Sequence, residues 1–259
     1  MTNSTFWNPA LYLQFEDHRL RPALDLLNRI PLDNAAMVCD LGCGAGNVMP
    51  FLGRRWPQAR LVGIDNSAEM LERARRDYSQ FEFTLADAAE WRAQTPPDII
   101  YSNAALHWLP DHRELFPRLI KQLRPGGCLA VQMPANFNAP SHMLIRGVLD
   151  DLQLWNAELR GELNAVGILA AADYYDILAP HAGELDIWQT EYMQTLRGED
   201  PVLNWVRASA LRPLFNCLTP EQIETFLAEY KRRLTEAYPL LSDGTVLFPF
   251  KRLFLIARI

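Results

Sequence analysis

Cysteine is scarce in this chain, and basic residues are fewer than acidic ones. The 4 cysteines, Cys39, Cys43, Cys128 and Cys217, lack the paired spacing of zinc sites. We therefore expect free thiols, no metal and a reducing, cytoplasmic location. The 25 basic and 31 acidic residues give a formal net charge of −6, which argues against a nucleic-acid partner because phosphate binding normally needs a basic face.

Long hydrophobic runs are also missing. No apolar stretch approaches the roughly 18 residues of a membrane span, and residues 1–5 lack the features of a secretory signal, so we expect no membrane partner. With 49% hydrophobic residues, the chain can bury a full core without disulfides. We expect one domain with an elaboration, as a monomer or small homo-oligomer.

A glycine-rich segment at residues 38–46 is the most informative part of the sequence. An apolar strand ends there in Asp40 and runs into three alternating glycines. The turn contains Gly42, Cys43, Gly44 and Gly46. Glycines at a strand-to-helix turn let bare backbone approach a nucleotide-type ligand. Asn47 stands where a dinucleotide fingerprint has its third glycine, which favours a mononucleoside ligand.

A second apolar strand also ends in an acid. Asp65 closes the segment 60–65, about 20 residues past the glycines, where a carboxylate can accept from both hydroxyls of a ribose. Simpler roles remain open for both acids. Asp40 could serve just to cap the N–H groups of the glycine loop, and Asp65 could be just the residue that precedes the next helix. We predict that Asn66, like Asp65, binds the cofactor and that it also caps that helix, with Glu69 completing a capping box.

The segment from Asp40 to Gly46 resembles motif I of the class I S-adenosylmethionine-dependent methyltransferases. Further pieces follow in family order: Asp65, then Asp87 and Ala88, then Asn103, and then residues 123–127. The resemblance implies S-adenosylmethionine as cofactor, S-adenosylhomocysteine as product and no metal.

The same resemblance implies roles for individual residues. Asp40 would lie near the amino-acid end of the cofactor and Asp87 beside adenine N6, where a carboxylate accepts from an amino group. Ala88 would offer its backbone N–H to the ring, and the backbone of Asn103 would face the methionine part. For Asp87 and Asn103, a plain turn role remains the alternative.

Longer stretches are similar to one family within that class, the trans-aconitate 2-methyltransferases. These stretches are residues 7–13, 106–112, 130–134, 174–178, 186–188 and 252–258, so the similarity covers nearly the whole chain. The resemblance implies methyl esterification of a small polycarboxylate, trans-aconitate. Carboxylates with an ordinary pKa of about 4 are ionised at neutral pH, so this reaction needs no general base.

A polyanionic acceptor gains nothing from a net charge of −6, so local donors must hold it. We predict that His107 positions the substrate, with a structural hydrogen bond as the alternative. Further candidates for acceptor binding are Tyr12, Arg19, Arg21, Trp108, Arg146, Tyr174, Tyr175 and Arg212. Trp108 could instead belong to the core, and each arginine could be an ordinary surface residue.

Alternating strand and helix patterns predict an α/β fold. With the resemblance, they indicate a Rossmann-like seven-stranded methyltransferase sheet, mostly parallel with an antiparallel last strand, flanked by helices and carrying an inserted helical cap. Strands are predicted near residues 36–41, 60–64, 81–85, 98–102, 128–133, 184–196 and 245–259. The predicted regions are an N-terminal lid helix region (1–30), a cofactor-binding core (31–140), cap segments (141–182 and 198–244) and final strands (183–197 and 245–259).

Three other functions remain open from the sequence. A class I methyltransferase could act on another small acceptor, which a substrate panel would reveal. A nicotinamide-dependent oxidoreductase is disfavoured by the GxGxG spacing and by Asp87. A module that binds the cofactor without turnover is the third.

Overall fold

The computed structural model describes residues 16–207 and 210–259, except for the side chains of residues 16–19 and 165. The chain divides into two compact units. The first, here called the sheet unit, contains Arg19–Pro134, Ile168–Thr190 and Arg252–Ile259. The second, the helical unit, contains Ala135–Gly167 and Glu191–Lys251.

Seven strands form one sheet, as the sequence predicts. They are β1 (Met37–Leu41), β2 (Arg60–Asp65), β3 (Glu82–Leu85), β4 (Ile99–Asn103), β5 (Cys128–Pro134), β6 (Glu184–Leu196) and β7 (Val246–Arg258). Their order is β3-β2-β1-β4-β5-β7-β6. Strands β1 to β5 pair in parallel, and β7 pairs antiparallel with β5. This order confirms the predicted α/β methyltransferase sheet.

Ten helices are present in the described part of the chain. They are α1 (Glu16–Arg29), α2 (Met49–Arg55), α3 (Ala68–Asp77), α4 (His112–Ile120), α5 (Pro140–Asp151), α6 (Ala157–Ala165), α7 (Ala171–Leu178), α8 (Pro201–Arg207), α9 (Arg212–Cys217) and α10 (Pro220–Ala237). A 3₁₀ turn covers Leu106–Trp108. None of these helices is long and apolar enough to cross a membrane.

The central strands are buried on both faces, which is why they read as continuous apolar runs. In β1, the residues from Val38 to Leu41 are all buried, and in β4 the same holds from Ile99 to Ser102. The buried hydroxyl of Ser102 donates to the carbonyl of Leu41 at 2.7 Å and so ties β4 to the end of β1.

The predicted lid region begins outside the described residues and ends in α1. Helix α1 continues to Arg29 and buries Ala23 and Leu26 completely. The hydroxyl of Tyr101, on β4, donates to the carbonyl of Ala23 at 2.8 Å. The described part of this region is therefore a helix attached to the sheet.

The cap of α3 differs from the prediction. Ser67, not Asn66, is the N-cap residue, and its Oγ accepts from the N–H of Met70 at 3.3 Å. The extended backbone of Ser67 (φ −95°, ψ 108°) directs its side chain toward the first turn. Asn66 lies one residue earlier and is exposed.

The four cysteines are free thiols, which confirms that prediction. Burial raises the pKa of Cys39 and of Cys128 to about 12. Both side chains are therefore neutral at physiological pH and act as small apolar groups within the sheet.

The helical unit has its own apolar core. Trp205 of α8 packs edge-on against Phe248 of β7, and both are nearly inaccessible to solvent. Helix α10 begins with a capping box in which the Oγ of Thr219 accepts from the N–H of Gln222 at 3.3 Å. The hydroxyl of Tyr230 donates to the carbonyl of Ser141 at 2.6 Å and attaches α10 to α5.

Candidate active site

The glycine turn lies at the carboxyl end of β1, between β2 and β4. In an open α/β sheet, this is the switch point where ligands bind. Gly42 has φ +80°, and a Cβ added there would overlap the Cβ of Ala105, in the loop after β4. The N–H groups of Gly42 and Cys43 donate to the carbonyl of Ile64 at 2.7 and 3.0 Å. The turn is therefore held closely between its two neighbouring strands.

Gly44 is the open point of this turn. It has φ +54°, and a Cβ added there would meet no atom within 4 Å. Its N–H donates to Oδ2 of Asp65 at 2.8 Å. The turn thus exposes bare backbone directly beside a carboxylate.

Asp65 connects three parts of the site. Oδ2 accepts from Gly44, and Oδ1 accepts from the N–H of Ser67 at 2.9 Å. Its backbone carbonyl accepts from the N–H of Ala86, after β3, at 3.0 Å. The carboxylate organises the glycine turn and the start of α3, and its remaining lone pairs can accept from a ligand.

Asp40 is the most perturbed acid of the site. It is 2% exposed, and Oδ2 has no hydrogen-bond partner among the described residues. Burial, and secondarily the negative charge of Asp65, raise the pKa of this carboxyl group to about 8. A carboxyl group buried in this way favours a nearby cation, which would compensate its charge.

The acids and amides after β3 and β4 lie at the same edge of the sheet. Oδ1 of Asp87 accepts from the N–H of Ala89 at 2.8 Å, which is a turn contact. Asp87 is exposed, whereas Ala88 and Asn103 are half-buried. Oδ1 of Asn103 is buried, with no hydrogen-bond partner in residues 16–207 and 210–259. The parallel strands β3 and β4 therefore place these residues at one edge of the sheet, and their ligand contacts stay predictions.

His107 and Trp108 form the 3₁₀ turn that follows β4. Their rings are 4.8 Å apart between centroids, and His107 is 5% exposed while Trp108 is 37% exposed. Ala104, just before this turn, has φ +53°, a left-handed conformation that is strained for a residue with a side chain. The turn after β4 thus buries His107 and leaves Trp108 partly exposed.

A buried histidine supports this turn, and sequence reasoning missed it. Nε2 of His112 lies 2.9 Å from the carbonyl of Leu106, and Nδ1 lies 2.5 Å from the hydroxyl of Tyr174. Since a carbonyl only accepts, Nε2 carries the proton and Nδ1 accepts from Tyr174. Burial lowers the pKa of His112, which keeps this neutral tautomer. The segment from Leu106 to His112 is therefore fixed to α7.

The Tyr174→Phe substitution is expected to lower the free energy of unfolding by about 1–3 kcal/mol, because Nδ1 of buried His112 loses its donor. Thermal or denaturant unfolding measures this loss. Tyr175→Phe is the matched control, since Tyr175 is 57% exposed, and its effect should stay within about 0.5 kcal/mol. Equal stability of the two variants would contradict the assigned network.

The other predicted acceptor residues are distributed over both units. Tyr12 lies outside the described residues, as does the side chain of Arg19. Arg21, on α1, and Tyr175, on α7, are exposed. Arg146 and Arg212 are exposed residues of the helical unit. Tyr174 is completely buried and belongs to the His112 network, so its position favours a structural role over contact with an acceptor.

The comparisons with known proteins agree with this arrangement. A family model described as a methyltransferase domain matches residues 38–127. The trans-aconitate 2-methyltransferase of Azoarcus sp. (strain BH72) is 48% identical over 251 residues, covering 97% of this chain and 98% of the relative. The chain belongs to the trans-aconitate 2-methyltransferase family. Family members from Variovorax paradoxus (strain S110) and Escherichia coli O157:H7 are 46% and 44% identical, with the same coverage. The protein is therefore a methyltransferase.

Solved structures show the same fold at low identity. The YcgJ protein of Bacillus subtilis aligns with a TM-score of 0.60 and 15% identity, covering 92% of this chain and 98% of that structure. A phosphoethanolamine N-methyltransferase of Haemonchus contortus, solved with S-adenosyl-L-methionine, aligns with a TM-score of 0.53 and 15% identity, covering 92% of this chain and 52% of that structure. These two structures show that this chain has a fold found in solved methyltransferase structures.

Proposed function

We propose that this protein transfers a methyl group from S-adenosylmethionine to one carboxylate of trans-aconitate, giving the monomethyl ester and S-adenosylhomocysteine. The observation that carries the proposal is 48% identity over nearly the full chain to a trans-aconitate 2-methyltransferase. The open backbone at Gly44, directly beside Asp65, supports a nucleoside-type cofactor at the switch point of the sheet.

The chain's own residues fit this cofactor. Asp65 has lone pairs left for the ribose hydroxyls after accepting from Gly44 and Ser67. Asp40 supplies a buried acid for the cationic amino-acid end, and its Oδ2 has no partner within the described part of the chain. Asp87 and the N–H of Ala88 remain the proposed adenine contacts, and the backbone of Asn103 remains the proposed contact of the methionine part.

When bound, S-adenosylmethionine supplies a methyl group already activated on a sulfonium. The protein then has to align the attacking carboxylate oxygen behind that methyl group and limit competing water. Because an ordinary carboxylate is ionised at neutral pH, the reaction does not need a side chain that removes a proton from the acceptor. His107 and Trp108, in the turn after β4, remain the proposed residues that position the acceptor.

A methyl-transfer assay with trans-aconitate, other small polycarboxylates and a phenol tests the function directly. Esterification of trans-aconitate above the other acids supports it, and turnover of another acceptor alone would replace it. Calorimetric titration with NAD and NADP tests the oxidoreductase alternative. We expect the protein to bind S-adenosylmethionine and S-adenosylhomocysteine and to bind neither dinucleotide. Binding without turnover of any acceptor would indicate a non-catalytic module.

At saturating cofactor, kcat is expected to be nearly flat from about pH 6.5 to 8.5, because an ionised carboxylate needs no deprotonation in this range. Single-turnover methyl transfer measures the rate of the chemical step across this range. A rise of about tenfold per pH unit would contradict carboxylate methylation and indicate an acceptor that must first lose a proton.

Cofactor affinity, in contrast, is expected to rise with pH up to about 8 and to fall above it, where the α-amino group of the cofactor, with an ordinary pKa of about 8, loses its positive charge. The pKa of Asp40 is about 8 without cofactor, and a bound cation favours the ionised carboxylate. Below this pKa, binding must release the proton, so affinity falls by up to about tenfold per pH unit. Calorimetry in two buffers of different ionisation enthalpy measures the released proton. The Asp40→Asn variant should lose the slope and the proton release below pH 8, and an unchanged slope there would show that Asp40 does not contact the cofactor.

We further propose a cytoplasmic protein, monomeric or in a small homo-oligomer, with no nucleic-acid partner. The net charge of −6 supports the last point. The cap over the acceptor, residues 141–182 and 198–244, stays a prediction, as do the other predicted domain boundaries.

A further inference from the structure

The loop after β3 is held by side chains that come from the end of α4. This loop, residues 86–93, contains Asp87 and Ala88, the proposed adenine contacts. The N–H groups of Glu90 and Trp91 donate to the carbonyl of Asp87 at 3.0 and 2.8 Å, which forms a single helical turn. The carbonyls of Ala88 and Trp91 take no part in this turn and need donors from elsewhere in the fold.

Arg118, on α4, supplies those donors. Its Nη1 donates to the carbonyl of Trp91 at 3.1 Å, and its Nη2 donates to the carbonyl of Ala88 at 3.4 Å. Gln122, just after α4, holds the end of the loop, since its Oε1 accepts from the N–H of Ala93 at 2.6 Å. One planar guanidinium thus fixes two carbonyls relative to each other, which the single nitrogen of a lysine cannot reproduce.

Helix α4 is a firm support for these contacts. It buries its apolar face in the sheet unit, with the side chains of Leu115, Phe116, Leu119 and Ile120. His112, its first residue, is fixed by its hydrogen bonds to Leu106 and Tyr174. Because close-packed interiors resist displacement, the side chains that extend from α4 determine where the loop lies.

The backbone of Ala88 is fixed on one side and open on the other. Arg118 holds its carbonyl, whereas no described backbone or side-chain group accepts from its N–H. Ala88 is half-buried and Asp87 beside it is exposed, so a ligand can reach this part of the loop. A donor whose direction is set before the ligand arrives binds more strongly, because less conformational freedom is lost on binding.

We propose that Arg118 is a positioning residue for adenine recognition and acts by fixing the backbone of Ala88. This proposal rests on the proposed function, because it requires that Asp87 and Ala88 contact the adenine. Consecutive residues meet neighbouring atoms of the base, so that Asp87 accepts from N6 and the N–H of Ala88 donates to N1, the ring nitrogen beside the amino group. Arg118 acts through the loop and not by its own contact with the base.

The test compares S-adenosylhomocysteine with its 1-deaza analogue, in which a C–H group replaces N1. In calorimetric titration, wild-type protein should bind the analogue about tenfold more weakly, because the N–H of Ala88 loses its acceptor. Arg118→Met keeps an extended stem but has no donor. This variant should bind S-adenosylhomocysteine about tenfold more weakly and the analogue less than about threefold more weakly, so the penalty for removing N1 falls below about threefold.

This comparison separates positioning from a loss of stability. A lower fraction of folded protein weakens both ligands by the same factor, so the ratio of the two affinities reports only the contact at N1. Arg118→Lys keeps the charge but cannot donate to both carbonyls, and we expect the penalty to fall in this variant as well. In Arg118→Met, the KM for S-adenosylmethionine should rise by about tenfold, while the KM for trans-aconitate at saturating cofactor stays within about twofold.

Arg113→Lys is the matched control, because Arg113 lies on the same helix, is exposed and pairs with Asp173 of α7. Its affinities for both ligands should equal those of the wild type. The role of Arg118 is overturned if Arg118→Met keeps the full penalty for removing N1, or if wild-type protein binds the two ligands equally.

Failure of the proposed function has a different signature. Wild-type protein that binds S-adenosylhomocysteine without esterifying trans-aconitate would contradict the proposed reaction, and the affinity ratios would still decide the role of Arg118. Wild-type protein that does not bind S-adenosylhomocysteine would overturn both proposals. Binding and turnover in the wild type, with the full penalty retained in Arg118→Met, would overturn the role of Arg118 alone.

Discussion

The Gly42→Ala variant is expected to lose cofactor binding and to lose about 3–5 kcal/mol of the free energy of unfolding. Its methyl group would overlap the Cβ of Ala105, and the backbone at φ +80° is left-handed, a region that residues with a side chain avoid. Either the turn or the loop after β4 must move. Denaturant unfolding measures the stability loss, and calorimetry with S-adenosylhomocysteine measures the loss of binding.

Gly126→Ala separates the two causes. Gly126 has φ +79°, nearly the same as Gly42, but a Cβ there meets no atom within 4 Å. This control should cost only the conformational penalty of about 1–2 kcal/mol and leave cofactor affinity unchanged. If the two variants lose equal stability and both bind the cofactor, the close approach of the glycine turn to Ala105 is not important for the site.

The Asp65→Ala variant is expected to weaken binding of S-adenosylmethionine by about 100-fold. The substitution removes the proposed acceptor of the ribose hydroxyls and leaves the N–H groups of Gly44 and Ser67 without their carboxylate, so ligand contact and turn geometry are lost together. Asp65→Asn keeps one acceptor oxygen and should lose less. Calorimetric titration of both variants gives the two affinities.

Asp77→Ala provides the control for charge and helix effects. Asp77 is an exposed residue at the end of α3, where it pairs with Arg73 and Arg76. Removing a surface ion pair of this kind should leave cofactor affinity unchanged and alter stability by less than about 1 kcal/mol. Wild-type affinity in Asp65→Ala would exclude this carboxylate from the cofactor site.

Local rules explain why much of the site was predictable. Asp40 and Asp65 lie at the ends of apolar strands, and the glycines follow the first of these strands. The pattern can therefore be recognised within short segments. Parallel strands then bring their carboxyl ends to one edge of the sheet, and this placement does not depend on the conformation of the loops. The alternating pattern and the resemblance together predicted the seven strands to within two residues.

Contacts between distant segments were not predictable in this way. The hydrogen bond from Gly44 to Asp65 gives this acid a structural role that its position in the sequence does not indicate. Ser67, not the predicted Asn66, caps α3, since the Oγ of Ser67 accepts from the N–H of Met70. Serine and asparagine are both common N-cap residues, so residue type alone does not separate them. The burial of Tyr174 against His112, which favours a structural role over the predicted acceptor contact, also joins segments far apart in the chain.

The sequence by itself determined the α/β class, the glycine turn, the acids that end β1 and β2 and the membership of a methyltransferase family, because each depends on residues close together in the chain or on a pattern along it. Only the tertiary structure decided which charges are buried. The pairing of β5 with β7 brings Arg252 to Gln132, which lie 120 residues apart in the chain. Strand register sets that contact, and the register depends on how the buried faces of both strands match in the folded sheet, which neither segment shows by itself.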